Sequence, residues 1–391
     1  MHPYYQIPYT LFKEVFGEVQ GVIIMRLFLT SFNRSALRNY ALLILLVSSS
    51  DSIITKQSAI TFLLGDRFGD NLASYCHARW IAYVHKIPLL YKSFPYSDKL
   101  KLSKIHEEYS DQKFAKRVHL PYKGKKINAL ELDIEKDANI LYILPYFPET
   151  HYDAVEYGLQ YFDVDWEDQQ FLTLLRQEIC PIAPLPTLKL PKDRITVALH
   201  VRKGSGPDRS FFKPYERGSM YFVENYPLRF PPDTYYIEQI KKISEMFKKK
   251  NLYIHLFTDD KNPSLLVEKY KNKLNLPNIE FGITESTNKD SQSAVLEDFF
   301  NMTSFDCIIR PESHFSQMAS KISRAKVVIR PVDFVWNNCE LSITAVEIKV
   351  SKNANKRLKK KAEPFNGEII IKEGLPEFCR TMKNRNRKSH Y

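Results

Sequence analysis

The chain has 391 residues, 44% of them apolar and 26% charged, which excludes a disordered chain and a single ordinary core. Its formal net charge of +12 suits an anionic ligand or an anionic membrane surface; the absence of zinc-finger spacings and RNA-binding aromatic motifs argues against nucleic acid. The five cysteines (Cys76, Cys180, Cys307, Cys339 and Cys379) lie far apart without a CxxC pair, so neither a zinc knuckle nor a disulfide framework is indicated.

Residues 1–55 read as a leader. Its apolar run YALLILLV (40–47) falls short of the roughly 20 residues that cross a bilayer. A start at Met25 would give it the proportions of a signal peptide; an anchor, or a membrane-leaning or buried helix, fits as well. Localisation follows that choice: secretory or membrane-associated with a signal or anchor, cytoplasmic otherwise.

A first α/β domain is expected over 56–190. AITFLL (59–64) reads as a strand and GDRFGDN (65–71) as a glycine-bearing turn. LASYCHARWIAYVHK (72–86) follows as a helix with Leu72, Tyr75, Cys76, Arg79, Trp80 and Tyr83 on one face. IPLLY (87–91) then reads as a second strand, completing the unit of a parallel sheet. Residues 93–140 are polar and lack a clear pattern. NILYILPYF (139–147) reads as a buried strand, and DWEDQQFLTLLRQEI (165–179) as a helix capped by Asp165. Prolines at 181, 184, 186 and 191 forbid helix over 180–191, which reads as an extended linker.

A second α/β domain is expected over 191–350. RITVALHVRK (194–203), LYIHLFTDD (252–260), IEFGI (279–283), FDCIIRP (305–311) and KVVIRP (326–331) read as strands. Helices are expected between them at 234–250, 263–274, 293–304 and 313–325. That alternation predicts a doubly wound, Rossmann-like sheet. Residues 351–391 form a basic tail in which only GEIIIKE (367–373) could be a strand.

Ligands of open α/β sheets bind outside the carboxyl ends of the strands, and four segments occupy that position. In GDRFGDN the glycines would let backbone N–H groups meet an anion at a helix start, although an ordinary turn has the same composition. In HVRKGSGPD (200–208), His200 and Arg202 share one face of a strand end, where a guanidinium fork suits phosphate oxygens. A structural salt bridge and a core histidine are the alternative. FTDD (257–260) offers Asp259 and Asp260 to a base or ribose, or else as a cap before Pro263. ESHFSQMAS (312–320) places Ser313 and Ser316 at a helix start, as a cap or a phosphate site.

In this order, the glycine loop, H-V-R-x-G, F-T-D-D, the E-D-F-F-x-M helix and the S-x-F-S segment resemble the fucosyltransferase-like superfamily. That superfamily includes α1,2-, α1,6- and protein O-fucosyltransferases, and the resemblance spans roughly Ala59 to Trp336. It implies a GT-B enzyme of two Rossmann-like domains with a deep interdomain cleft. Such an enzyme is inverting and metal-independent, needs no cofactor, and uses GDP-fucose as donor with a glycan or glycoprotein as acceptor. By the same resemblance, Arg202 binds the β-phosphate, His200 and Gly204 lie by the nucleotide, and Asp259 or Asp260 recognises guanine. The hydroxyls of Ser313 and Ser316 help hold the diphosphate, His314 and Phe315 belong to the donor site, and Gly65, Gly69 and Asn71 face the donor from the first domain. The leader or the basic tail would serve any membrane contact.

One departure matters. Many relatives carry Asp soon after the arginine, whereas this chain has Ser205, and its next acid is Asp208. Asp208, Asp66 and Asp70 are therefore the candidates for the general base. A sugar-nucleotide or carbohydrate-binding protein without turnover is the alternative.

Overall fold

The computed structural model describes residues 57–65, 67–110, 114–120, 127–145, 162–203, 227–248, 250–284, 292–337 and 340–351. The leader, Asp66, Gly204, Ser205, Asp208 and the whole tail beyond Ser351 lie outside the described residues.

The architecture is α/β, with two main sheets that are largely parallel and a short two-stranded one among the described residues. Strands β1 (Ala59–Phe62), β2 (Lys116–His119) and β4 (Ile140–Leu144) form one of them in the order β1-β4-β2. The short β3 (Ile127–Asn128) pairs with β5 (Phe162–Asp163) beside it. β1 and β4 are buried along their whole length, the mark of parallel strands covered on both faces. β2, KRVH, is the charged edge.

The larger sheet has six strands: β6 (Ile195–Val201), β7 (Leu252–Thr258), β8 (Ile279–Ile283), β9 (Cys307–Ile309), β10 (Val327–Asn337) and β11 (Glu340–Val350). Their order is β11-β10-β9-β6-β7-β8, parallel except for the antiparallel pair β10–β11. From β6 the chain winds outward through β7 and β8, then returns to the other side of β6 through β9 and β10. The reversal falls between β6 and β9, the topological position where such sheets bind ligands.

The helices are α1 (Phe68–His85), α2 (Gln169–Glu178), α3 (Asp233–Met246), α4 (Pro263–Leu274), α5 (Gln292–Met302) and α6 (His314–Ile322). α1 is buried on more than the one face that the periodicity gave it: Ala73, Ser74, His77, Ala78 and Ile81 are buried as well. One core runs from β1 and β4 across α1 to α5 and α6. At its centre Phe68 meets Phe299 edge-on at 5.2 Å, and Phe299 meets Phe315 at 5.5 Å. Burying Phe68 and Phe299 stabilises the fold by about 1.5–3 kcal/mol each. A second core, with Tyr235, Tyr236 and Tyr270, fills the other face of the large sheet. Cys76 and Cys307 are buried, as their apolar surroundings indicate.

The structure departs from the sequence pattern at five places. α1 begins at Phe68 rather than Leu72, so Gly69, Asp70 and Asn71 are its first turn and not a loop. IPLLY is no strand and makes only single bridges, Ile60 to Leu89 and Tyr91 to Glu108; Pro88 has no N–H to give a ladder. Asp168, not Asp165, caps α2, its Oδ1 accepting from the N–H groups of Gln170 and Phe171 at 2.9 Å each. Asp165 closes the preceding turn instead, accepting from the Glu167 N–H. The proline-rich 180–191 stretch is extended but not a free linker. Leu185, Leu188 and Leu190 pack on the core, and Asn301 accepts from the Leu188 N–H at 2.9 Å. Finally, the last strand runs on to Asn337 and turns back as β11, a hairpin absent from the sequence reading.

Candidate functional site

Two helix starts and two strand ends converge at the switch point. β6 ends in His200 and Val201, and Arg202 follows directly. β9 runs through Arg310, Pro311 and Glu312 into Ser313, the residue that precedes α6. Ser313 occupies the cap position, yet its hydroxyl caps nothing; it accepts instead from Arg202 Nη1 at 3.3 Å. The first turn of α6 therefore keeps the positive end of its dipole beside a guanidinium. Phe230 lies 5.7 Å from the Arg202 guanidinium, close enough for a cation–π contact.

Arg202 is half-buried, and burial, followed by Arg229 and Arg67, pushes its pKa down to about 10. Asp259 and Asp70 pull the other way. The group stays charged at neutral pH, with the guanidinium groups of Arg229 and Arg67 and the carboxylates of Asp259 and Asp70 near enough to act on it. Such a place favours an anion with more than one charge.

His200 is buried against Phe315, ring centroids 5.8 Å apart. Burial, then the charges of Arg202 and Arg310, push its pKa down to about 3, so the imidazole is neutral. Its Nδ1 is buried without a hydrogen-bond partner among the described residues. Buried polar atoms are rarely left unmet, which makes this nitrogen a candidate ligand contact.

The first turn of α1 abuts that of α6. A Cβ on Gly69 would stand 2.5 Å from the Phe315 amide nitrogen and 2.8 Å from its Cα. One residue along, His314 Nδ1 donates to Asp70 Oδ1 at 2.6 Å. Burial pushes the Asp70 pKa up, but the hydrogen bond and charge of His314, then Arg229 and Arg202, outweigh it, and the net direction is down. Asn71 is fully buried and points away from any ligand role. Its Oδ1 accepts from the Gly65 N–H at 2.7 Å, while its Nδ2 donates to the carbonyls of Gly65 and Arg67. It clasps the loop into shape and so sets where Arg67 stands.

At the other rim, Asp259 Oδ1 accepts from the Lys203 N–H at 2.5 Å, tying the end of β7 to the end of β6. Asp260 Oδ1 accepts from the Asn262 N–H at 2.7 Å, which shapes the turn into α4. Ser316 is buried in the first turn of α6, its hydroxyl 3.4 Å from the Ser313 carbonyl. Lys203 Nζ reaches Asp233 Oδ1 at 2.8 Å; Lys269 and Tyr270 hold the same carboxylate, whose pKa falls to about 2.

The structure thus gathers Gly69, Asp70, His200, Arg202, Ser313, His314 and Phe315 into one place. It assigns Asn71 and Asp260 to local turns. Arg67, Arg229, Phe230 and Arg310 were missed: Arg67 stood unremarked inside the glycine motif, and Arg229 and Phe230 sit in PLRFPP, which carries no recognisable spacing. Among the described residues no cluster of His, Cys, Asp and Glu is placed to hold a metal ion, and no helix is long and apolar enough to cross a membrane.

No protein-family model and no curated protein matches the chain. Among solved structures it is similar to the fucosyltransferase NodZ from Bradyrhizobium, at 10% identity over 73% of this chain and 97% of that one, with a TM-score of 0.35. It is similar to POFUT1 in complex with GDP-fucose, at 11% identity over 68% and 94% of the two chains, TM-score 0.34. A mutant of FUT1 from Arabidopsis thaliana in complex with GDP matches at 10% identity over 76% and 79%, TM-score 0.35.

Proposed function

We propose that this chain is a glycosyltransferase whose donor is a nucleoside diphosphate sugar, GDP-fucose by the motif resemblance. It transfers the sugar with inversion, and without a metal, to a hydroxyl of a glycan or glycoprotein. The reading rests on one observation above all: Arg202, at the end of β6, stands over the uncapped start of α6 with its Nη1 on the Ser313 hydroxyl.

The chemistry follows from that placement. As the bond between the sugar carbon and the diphosphate breaks, negative charge grows on the departing oxygens. Arg202, Arg229 and Arg67, together with the α6 dipole, are fixed in advance around that charge and need no reorganisation to stabilise it. Three guanidinium groups supply the positive charge that this departure requires. His200, neutral and with an unmet nitrogen, offers a hydrogen bond without adding charge. By the motif resemblance, Asp259 or Asp260, at the end of β7, would recognise the base of the nucleotide.

A thermal-shift screen of the full chain against GDP-, UDP-, ADP- and CMP-sugars tests the reading. Stabilisation by GDP-fucose, lost in Arg202→Ala, is the expected result. Equal GDP binding by Arg202→Ala and the wild type would overturn it.

A further inference from the structure

The reading above leaves the acceptor proton without a destination, and two of the three candidate acids lie outside the described residues. Asp70 lies inside them, in a setting that a merely structural acid does not need. Its side chain is one-fifth exposed, while that of its partner His314 is only 2% exposed. His314 occupies Oδ1; Oδ2 makes no hydrogen bond to any other described residue. The carboxylate therefore has one oxygen fixed and one open, beside the guanidinium groups that would hold the departing diphosphate.

Resting on the donor reading, we propose that Asp70 is the catalytic base for the acceptor hydroxyl, with His314 as its positioning residue. We propose further that the donor's own diphosphate, by neutralising Arg202 and Arg229, brings Asp70 into action. The acceptor O–H proton passes to Asp70 Oδ2 as the acceptor oxygen bonds to the sugar carbon. The bond from that carbon to the diphosphate oxygen breaks, and the leaving group keeps the electron pair. Asp70 then gives its proton to water through its exposed edge.

The charges that face Asp70 are His314 from α6, Arg202 from β6 and Arg229 from the turn before α3. Arg67 and Asp259 lie one step further, around Arg202. In the free protein His314, which holds Oδ1 at 2.6 Å, keeps the carboxylate below its usual range, and Arg229 and Arg202 add to that effect. A bound diphosphate cancels their charge and adds its own, and both changes favour the protonated carboxyl. Basicity then rises only when there is a donor to attack.

The test uses the full chain, with GDP binding by calorimetry and GDP release from GDP-fucose, water or a glycan mixture being the acceptor. Asp70→Asn should lower kcat by about 10²–10⁴-fold while GDP binding is unchanged or tighter, because a negative charge has left the phosphate site. Retained GDP binding also shows that the variant folds. His314→Phe should lower kcat and move the acidic limb of its pH profile upward. His314→Asn, whose amide nitrogen replaces Nδ1, should restore most of the rate. In the wild type, the acidic limb of kcat should lie at higher pH than that of kcat/KM for the donor, since the two report the donor-bound and the free enzyme. Coincident limbs would overturn the role of the donor, and wild-type turnover in Asp70→Asn would overturn the base. Parallel loss of GDP binding and turnover in Asp70→Asn would also overturn it, making Asp70 part of the donor site. A wild type that binds no GDP would instead sink the donor reading beneath the proposal.

Discussion

Replacing Gly69 by alanine tests the junction on which the whole site depends. The added Cβ would meet three backbone atoms of α6: Phe315 N at 2.5 Å, Phe315 Cα at 2.8 Å and His314 C at 2.9 Å. Non-bonded heavy atoms settle at roughly 3.5–4 Å, so the two helix starts must part by about 1 Å. No side chain can swing aside to absorb this, because every clashing atom is main chain. Overpacking of this kind costs about 1–3 kcal/mol. The same shift stretches the 2.6 Å Asp70–His314 bond beyond a good hydrogen bond and moves Asp70 away from Arg202. Misplacement of that size costs turnover about 10²-fold. Urea unfolding and GDP release from GDP-fucose measure the two effects on one preparation. Gly282→Ala is the control, because its Cβ meets first the tip of the Tyr253 side chain, far along the sheet. It should leave turnover at the wild-type value. A Gly69→Ala protein with wild-type stability and rate would refute the reasoning.

Three further outcomes follow from the charges and the clasp. Asp233, with its pKa depressed to about 2, adds stability that is full above the unfolded value near 4 and is lost as pH falls toward 2. Asp233→Asn should thus cost about 2 kcal/mol at pH 7, and the gap to the wild type should close by pH 2 in acid-unfolding curves. His200 has the opposite consequence. It is neutral when folded down to about pH 3 but charged when unfolded below about 6.5, so acid favours the unfolded chain. Between pH 7 and pH 5 the wild type should lose about 2 kcal/mol more stability than His200→Gln, as read by urea unfolding. Asn71→Asp keeps the Gly65 N–H partner but turns a carboxylate on the carbonyls of Gly65 and Arg67, at a cost of about 2–4 kcal/mol. It should weaken GDP binding as well, since Arg67 rides on that loop.

What the sequence disclosed about the fold tracks how local each signal is. α4 is bounded as read because Pro263 fixes its first turn and Asn275, at φ 47°, takes the left-handed cap. β6 is legible as an unbroken apolar run that ends in charge, ITVALHVR. β2 is not, because KRVH is an exposed edge whose strand character comes from its pairing with β4. β10 and β11 show another limit. ELSITAVEIKV carries β-branched residues at Ile343, Thr344, Val346, Ile348 and Val350, but its strand character is completed by the antiparallel pairing with β10. The site divides the same way. Arg202 and Ser313 could be named from their segments, whereas the contact of Asp70 with His314 joins residues 244 apart in sequence. No pattern within either segment specifies it.

That long-range contact changes the meaning of the serine after HVRKG. In the motif pattern that the sequence resembles, the acid follows the arginine at the same strand end, so their separation is set by a few residues of loop. Here one of the two acids beside Arg202, Asp70, comes from α1, and its position is set by two neighbouring contacts between helix starts: Gly69 on Phe315, and Asp70 on His314. Both partners sit in the first turn of a helix, and each helix is anchored in the shared aromatic core through Phe68 and Phe315. Groups carried on packed helices hold their geometry better than groups on loops. The same two contacts also fix how far Arg67, at the start of α1, stands from Arg202 and Ser313. A single junction without side-chain freedom at Gly69 therefore sets the spacing of the acid and of the arginines, which is why a methyl group there should disturb both at once.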